Sequence, residues 1–188
     1  MLSRQKRAEL YKIINEIADE VKVSKISPEE INNSMRSGVS LNDLEASHFS
    51  KLLSQVSSKI DKLYLDSPDV IPERFGIRVG NLSLKKTFVG RKRKANDNES
   101  IRIISEHKAD VKYPIVSAAS IIAKVTRDAE IAKLGNELGL PLGSGYPSDY
   151  NTIEVVRNNM ANNMLNAQIR QRWITMERIR QTPIKNFI

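Results

Sequence analysis

Two short apolar runs constrain the fold more than any other feature of the chain. Lys62-Leu63-Tyr64-Leu65-Asp66 stops at an acid and is broken by the turn residues that follow. Ile101-Arg102-Ile103-Ile104 runs on into Ser105-Glu106-His107-Lys108-Ala109-Asp110. A short apolar strand that ends at an acid and passes into a loop reads as a central strand of an α/β sheet. Helical patterns surround both. Leu10, Ile13, Ile14, Ile17 and Val21 predict an amphipathic helix from Arg4 to Val21. Ser27-Pro28-Glu29-Glu30 is a helix start, with Ser27 as N-cap and Glu30 closing a capping box, and this helix ends near Gly38. Ser40 opens another that reaches about Ser57, with Leu41, Leu44, Phe49, Leu52, Leu53 and Val56 facing inward. Pro72 to Arg78 reads as helical, and residues 85–100, with Arg91-Lys92-Arg93-Lys94, as a flexible loop. Pro114 to about Leu138 is the longest helix. Its first turns are apolar nearly all round, which predicts burial at that end. Gly139 to Pro147 is a glycine-rich loop, and Asn151 to Arg180 is helical and basic.

Charge and composition narrow the function. The 188 residues carry 30 Lys and Arg against 22 Asp and Glu, a net +8. That balance points to a polyanionic partner, most often nucleic acid. Residues 157–188 hold Arg157, Arg170, Arg172, Arg178, Arg180 and Lys185 against Glu177 alone, which is +5 of that excess. With no cysteine and two histidines, thiolate and histidine-based zinc chemistry are excluded or disfavoured. Chemistry here would rest on carboxylates, hydroxyls, lysines or a metal held by oxygens. No apolar run approaches the ~20 residues of a membrane span. The basic N-terminus leads into an amphipathic pattern rather than a signal peptide, so a cytoplasmic location and no membrane partner are expected.

Three constellations could carry chemistry. Asp66 and Asp110 each lie at or just after the end of a strand, where sites form in open α/β sheets. Together they would make a hard-oxygen site for Mg²⁺ or Mn²⁺. Separately, each could instead cap a turn or a helix. The loop Gly143-Ser144-Gly145-Tyr146-Pro147-Ser148-Asp149 can present the tyrosine ring in a fixed direction, against a sugar or base, or can serve as a helix connector with Ser148 or Asp149 as cap. The string from His107 to Ser120 places an acid, phosphate-capable side chains and a helix start together.

This string resembles a known family. His-Lys-Ala-Asp at 107–110, Tyr-Pro at 113–114, Val-Ser-Ala-Ala-Ser-Ile-Ile-Ala-Lys-Val-Thr-Arg-Asp at 116–128 and Gly-Ser-Gly-Tyr-Pro-Ser-Asp at 143–149 are similar to ribonuclease HII, type 2 ribonuclease H, in its archaeal form. Leu2-Ser3-Arg4-Gln5-Lys6-Arg7, Asp66-Ser67-Pro68-Asp69-Val70 with Glu73-Arg74-Phe75, and Ile169 to Thr175 extend the resemblance over nearly the whole chain. It implies a ribonuclease H-like α/β fold, a mixed sheet flanked by helices with a helical C-terminal part. Residues 1–150 would be the catalytic domain and 151–188 a helical extension. The implied activity is endonucleolytic hydrolysis of the RNA strand of RNA/DNA hybrids, including ribonucleotides embedded in DNA, with Mn²⁺ or Mg²⁺ held by four carboxylates. The implied partner is the hybrid duplex, bound by a monomer. Asp66 and Asp110 fall on the third and fourth acids, as catalytic metal ligands, and Tyr146 on the tyrosine that senses the ribose. Lys108, Lys124 and Arg127 are expected to bind phosphate or order the site. For Arg127 the alternative is a salt bridge with Asp128 or Glu130, and for Lys124 a solvated helix face.

The family's first two acids, an Asp-Glu pair followed by Gly-Arg-Gly, do not occur in this sequence. Asp19-Glu20 is followed by Val-Lys-Val late in an amphipathic helix, and the role is not carried over to it. The resemblance therefore implies that about three strands' worth of N-terminal chain is missing, by ordinary strand lengths. The alternative function is a non-catalytic nucleic-acid-binding remnant of the family.

Overall fold

A computed structural model describes residues 2–83 and 101–181. The expected loop at 85–100 with its basic run, and Lys185, lie outside the described residues. The element order is α1 (Arg4–Ile17), α2 (Pro28–Arg36), α3 (Leu41–Ser54), β1 (Lys62–Asp66), α4 (Pro72–Ser83), β2 (Arg102–Glu106), α5 (Ala109–Lys112), α6 (Pro114–Leu138), α7 (Tyr150–Asn158), α8 (Asn163–Ala167) and α9 (Ile174–Gln181). Contacts group the chain into two compact units. One joins the chain up to Lys25 with Ser40–Val125, and the other joins Ile26–Val39 with the chain from Thr126 onward.

The first unit is built on the two strands. β1 and β2 pair in parallel, with Leu63 opposite Ile103 and Asp66 opposite Glu106. Among the described residues these two make the whole sheet, so β1 has one neighbour rather than the two expected of a central strand. The strands that would make the sheet mixed are not among the described residues. α3 and α4 cover the pair. Ala46, Leu65, Phe75 and Val79 form a buried cluster, with Phe49, Leu53, Leu63, Leu82 and Ile103 packed on it. Phe49 meets Phe75 edge to face at 5.8 Å. Full burial of Leu65, Phe75 and Val79 stabilises by about 1.5–3 kcal/mol each. α4 comes this close to β2 because Gly76 and Gly80 face it. A Cβ on Gly76 would lie 3.0 Å from the Ser105 Cβ, and one on Gly80 would lie 2.9 Å from the Ile103 Cδ1.

Four helices depart from expectation. α3 stops at Ser54 rather than about Ser57, and α4 runs on to Ser83 rather than ending at Arg78. α1 stops at Ile17 rather than Val21, and none of its residues is buried. The chain turns extended at Ala18 and lets Glu20 reach residues 57–58. The Glu20 carboxylate accepts bonds from both the N–H and the hydroxyl of Ser57 and Ser58, at 2.5–3.0 Å. α6 keeps its expected bounds, but its apolar first turns are not buried all round. Val116, Ile121 and Ile122 are buried, whereas Ile115 is 66% exposed. An apolar composition on every face does not supply a neighbour for every face.

In the second unit, α2 opens as expected, with Ser27 accepting from the Glu30 N–H. Its Asn32 is buried and holds the segment before α9. The Asn32 amide donates to the Ile169 carbonyl and accepts from the Gln171 N–H, each at 2.9 Å. The basic stretch after residue 150 is three helices, α7 to α9, rather than one continuous element.

Candidate metal and ribose-reading sites

The Asp66-Ser67-Pro68-Asp69 segment divides its two acids between structure and site. Asp69 is occupied: Asn42 donates to it at 2.5 Å and Arg78 at 3.2 Å, and Arg78 also reaches Asp43 at 3.0 Å. Asp66 stands exposed at the end of β1. One of its oxygens accepts the Ala109 N–H at 3.0 Å. That bond ties the first candidate acid to the residue directly before the second. Asp110 is half-buried in α5, and among the described residues neither of its oxygens has a protein partner.

Lys108 makes this junction possible. It adopts φ 54° and ψ 36°, left-handed backbone that is costly for a residue with a Cβ. The turn at Lys108 aims the Ala109 N–H at Asp66. Its own side chain is exposed. Glu106, opposite Asp66 in register, is a neighbour that the sequence did not single out. Its carboxylate takes the Lys112 ammonium and the Tyr113 hydroxyl, the latter at 2.8 Å. The Lys112 bond, then the Tyr113 bond, hold Glu106 below the usual carboxylate range, and Glu106 pushes Lys112 and Tyr113 up in turn.

The donor chemistry of Asp66 and Asp110 fits a hard divalent cation, because both are carboxylates with oxygens that no basic side chain among the described residues neutralises. Mg²⁺ is held in many sites by one or two carboxylates together with substrate phosphates. Among the described residues no group of three or more His, Cys, Asp or Glu side chains converges. Glu20 adds nothing to this set. Its carboxylate is taken up by the N–H and hydroxyl groups of Ser57 and Ser58, which lower its pKa from 4.5 to about 2.

The tyrosine loop belongs to the second unit and is held from two directions. Asp149 caps α7 through the Asn151 N–H at 3.0 Å. Its other oxygen accepts the Ser144 N–H at 2.6 Å and the Ser144 hydroxyl at 2.7 Å. These bonds, the Ser144 N–H first, lower the Asp149 pKa from 3.8 to about 2. Arg127 on α6 donates to the Ser144 carbonyl at 3.1 Å and the Gly145 carbonyl at 3.0 Å. Its guanidinium lies 3.7 Å from the Tyr146 ring centroid. Such a contact contributes about 0.5–1 kcal/mol at an exposed site. The Asp128 ion pair expected as the alternative for Arg127 is also present, at 3.6 Å. Lys124 donates to the Ser120 hydroxyl one turn back, at 2.9 Å, as a helix-face residue does.

The model of the family described as Ribonuclease HII matches residues 1–176. The chain belongs to the ribonuclease HII family. Ribonuclease HII of Archaeoglobus fulgidus is 36% identical over 186 residues, 99% of this chain and 80% of that protein. Its structure in complex with PCNA matches with a TM-score of 0.79 at 34% identity, again covering 99% of this chain and 80% of that one. Ribonuclease H2 of Pyrococcus horikoshii OT3 matches with a TM-score of 0.74 at 36% identity, over 97% of this chain and 80% of that one. Bst-RNase HIII, solved in complex with Mn²⁺, shares the fold at 18% identity with a TM-score of 0.69, over 95% of this chain and 55% of its own. As a member of this family the chain has the ribonuclease H-like α/β fold and falls among hydrolytic endoribonucleases of the ribonuclease H type.

Proposed function

We propose that the chain hydrolyses the RNA strand of RNA/DNA hybrids, including single ribonucleotides embedded in DNA, with the help of Mn²⁺ or Mg²⁺. The observation that carries this is the bond from the Ala109 N–H to Asp66, which ties one strand-end carboxylate to the residue preceding the other. Asp66 and Asp110 would hold the ion. A divalent ion there supplies a Lewis acid for the phosphodiester and lowers the pKa of bound water. The protein's own part is to fix the donors: β1 and the left-handed turn at Lys108 set Asp66, and α5 sets Asp110.

Tyr146 is proposed to read the ribose beside the scissile phosphate, and the exposed Lys108 to contact the phosphate backbone. Lys124 and Arg127 are proposed to order the region, Lys124 through Ser120 and Arg127 through the tyrosine loop. Residues 1–150 take the catalytic role, and the helices from 151 grip the duplex backbone.

The test is incubation of the 188-residue chain with a duplex carrying one ribonucleotide and Mn²⁺. Cleavage on the 5′ or 3′ side of that ribonucleotide is expected, and Asp110→Asn should lower it by at least the roughly 10–100-fold that loss of an outer-shell partner at a metal site costs. Cleavage untouched by Asp110→Asn removes the site assignment. Tight binding of the duplex without any cleavage supports the non-catalytic alternative.

A further inference from the structure

Arg127 is placed unlike a group meant to meet substrate phosphate. Its two donated bonds end on the carbonyls of Ser144 and Gly145, the two residues that lead into Tyr146. The same guanidinium lies against the tyrosine ring at 3.7 Å. One side chain thus fixes both the backbone that carries the ring and one face of the ring itself. The planar fork of arginine can do both at once, whereas the point charge of lysine cannot.

The opposite side of the same backbone is also pinned. Asp149 takes the Ser144 N–H at 2.6 Å, and the Thr152 hydroxyl takes the Gly145 N–H at 3.0 Å. Gly145 sits at φ +68°, and a Cβ there would lie 2.8 Å from the Ile131 Cδ1 and 3.3 Å from an Arg127 Nη. The loop therefore seats directly on the α6 side chains. Tyr146 nevertheless stays 41% exposed, and its hydroxyl has no protein partner among the described residues. The ring is held on one side and offered on the other.

We infer that Arg127 is a positioning residue that fixes the Tyr146 ring before substrate arrives, and through it sets the preference for a duplex containing a ribonucleotide; this rests on the ribose-reading role proposed for Tyr146. A ring ordered in advance loses little freedom on binding, so more of its contact energy appears as discrimination.

The test measures two dissociation constants in the absence of divalent ion, so that the strands stay intact. One is for a DNA duplex with one ribonucleotide, the other for the same duplex made of DNA alone. Their ratio is the readout, since a general loss of fold weakens both and leaves the ratio alone. The wild-type chain is expected to favour the ribonucleotide duplex, and Tyr146→Ala to bring the ratio near one. Arg127→Met is expected to shrink the preference by roughly fivefold, with Arg127→Lys between, because it keeps charge but not the fork. In the Tyr146→Ala background Arg127→Met should add nothing. If Tyr146→Ala leaves the preference intact, the ribose reading fails and the positioning role falls with it. If Tyr146→Ala removes the preference while Arg127→Met preserves it, or if the two effects add, the ribose reading stands and the positioning role is overturned.

Discussion

Single residues decide which acids are available for chemistry. Asp69 and Glu20 are both consumed by neighbours, Asp69 by Asn42 and Arg78, and Glu20 by two serines. Among the described residues Asp66 gives only one oxygen to the protein. The Glu20 bonds carry a pH signature. Its pKa is depressed, so its contribution to stability is full above the unfolded value and is lost as the pH falls, over a window from about 4.5 to about 2. Unfolding midpoints measured across that window should fall less steeply in Glu20→Gln than in the wild-type chain. Lys108 makes a second test at this scale. Lys108→Gly is expected to keep the unfolding free energy within about 1 kcal/mol, because relief at positive φ is offset by a freer unfolded chain. Lys108→Val should lower it by roughly 1–3 kcal/mol, since a β-branched residue tolerates this backbone poorly. Denaturant titration of both variants separates the two outcomes.

At the scale of elements, the decisive contact is α4 against β2. Two glycines a helical turn apart remove the side chains that would hold the helix off the sheet. Their surroundings differ in a way that predicts different outcomes. Gly76 faces the Ser105 Cβ, which the backbone fixes in place, and the Ile103 Cγ2 at 3.3 Å. Among the described residues Gly80 faces only the terminal Cδ1 of Ile103, which can rotate away. Alanine gains about 1 kcal/mol of helix propensity at either position. Gly76→Ala should nevertheless destabilise by about 1–3 kcal/mol through overpacking. Gly80→Ala should be close to neutral, and thermal unfolding of the pair measures the difference. Element identity was largely legible beforehand. β1 and α6 have the bounds that pattern suggested, because a strand broken by Asp-Ser-Pro-Asp and a helix started by proline and ended by glycine carry local stop signals. The end of α1 was not legible, because the apolar spacing continues to Val21 while the chain leaves the helix and Glu20 bonds to residues 37 and 38 positions away.

At the scale of the whole molecule, the net +8 is less uniformly available than its count suggests. Arg172 donates to the Met35 carbonyl, Arg180 to Gln171, and the Arg170 guanidinium lies 4.8 Å from the Trp173 ring centroid. Arg157 is exposed and has no protein partner among the described residues. Duplex affinity should fall linearly in log–log form with salt. Arg157→Gln should flatten that slope by about 0.9 if this side chain meets one phosphate. Titration of a labelled duplex at several salt concentrations reads the slope directly. An unchanged slope in the variant places Arg157 off the duplex.

Local chemistry written in the chain determined the two strands, most of the helices, the basic balance and the family, together with the residue types a hard cation and a ribose would need. These follow from periodicity, capping and motif order, which act over a few residues at a time. Tertiary structure alone decided which acid of Asp66 and Asp69 stays open, that Lys108 turns left-handed to bring the Ala109 N–H to Asp66, and that Arg127 faces the tyrosine loop with its side chain. Each of these depends on groups distant in sequence meeting in space: Asp66 accepts from a residue 43 positions on, and Arg127 donates to carbonyls 17 and 18 positions on.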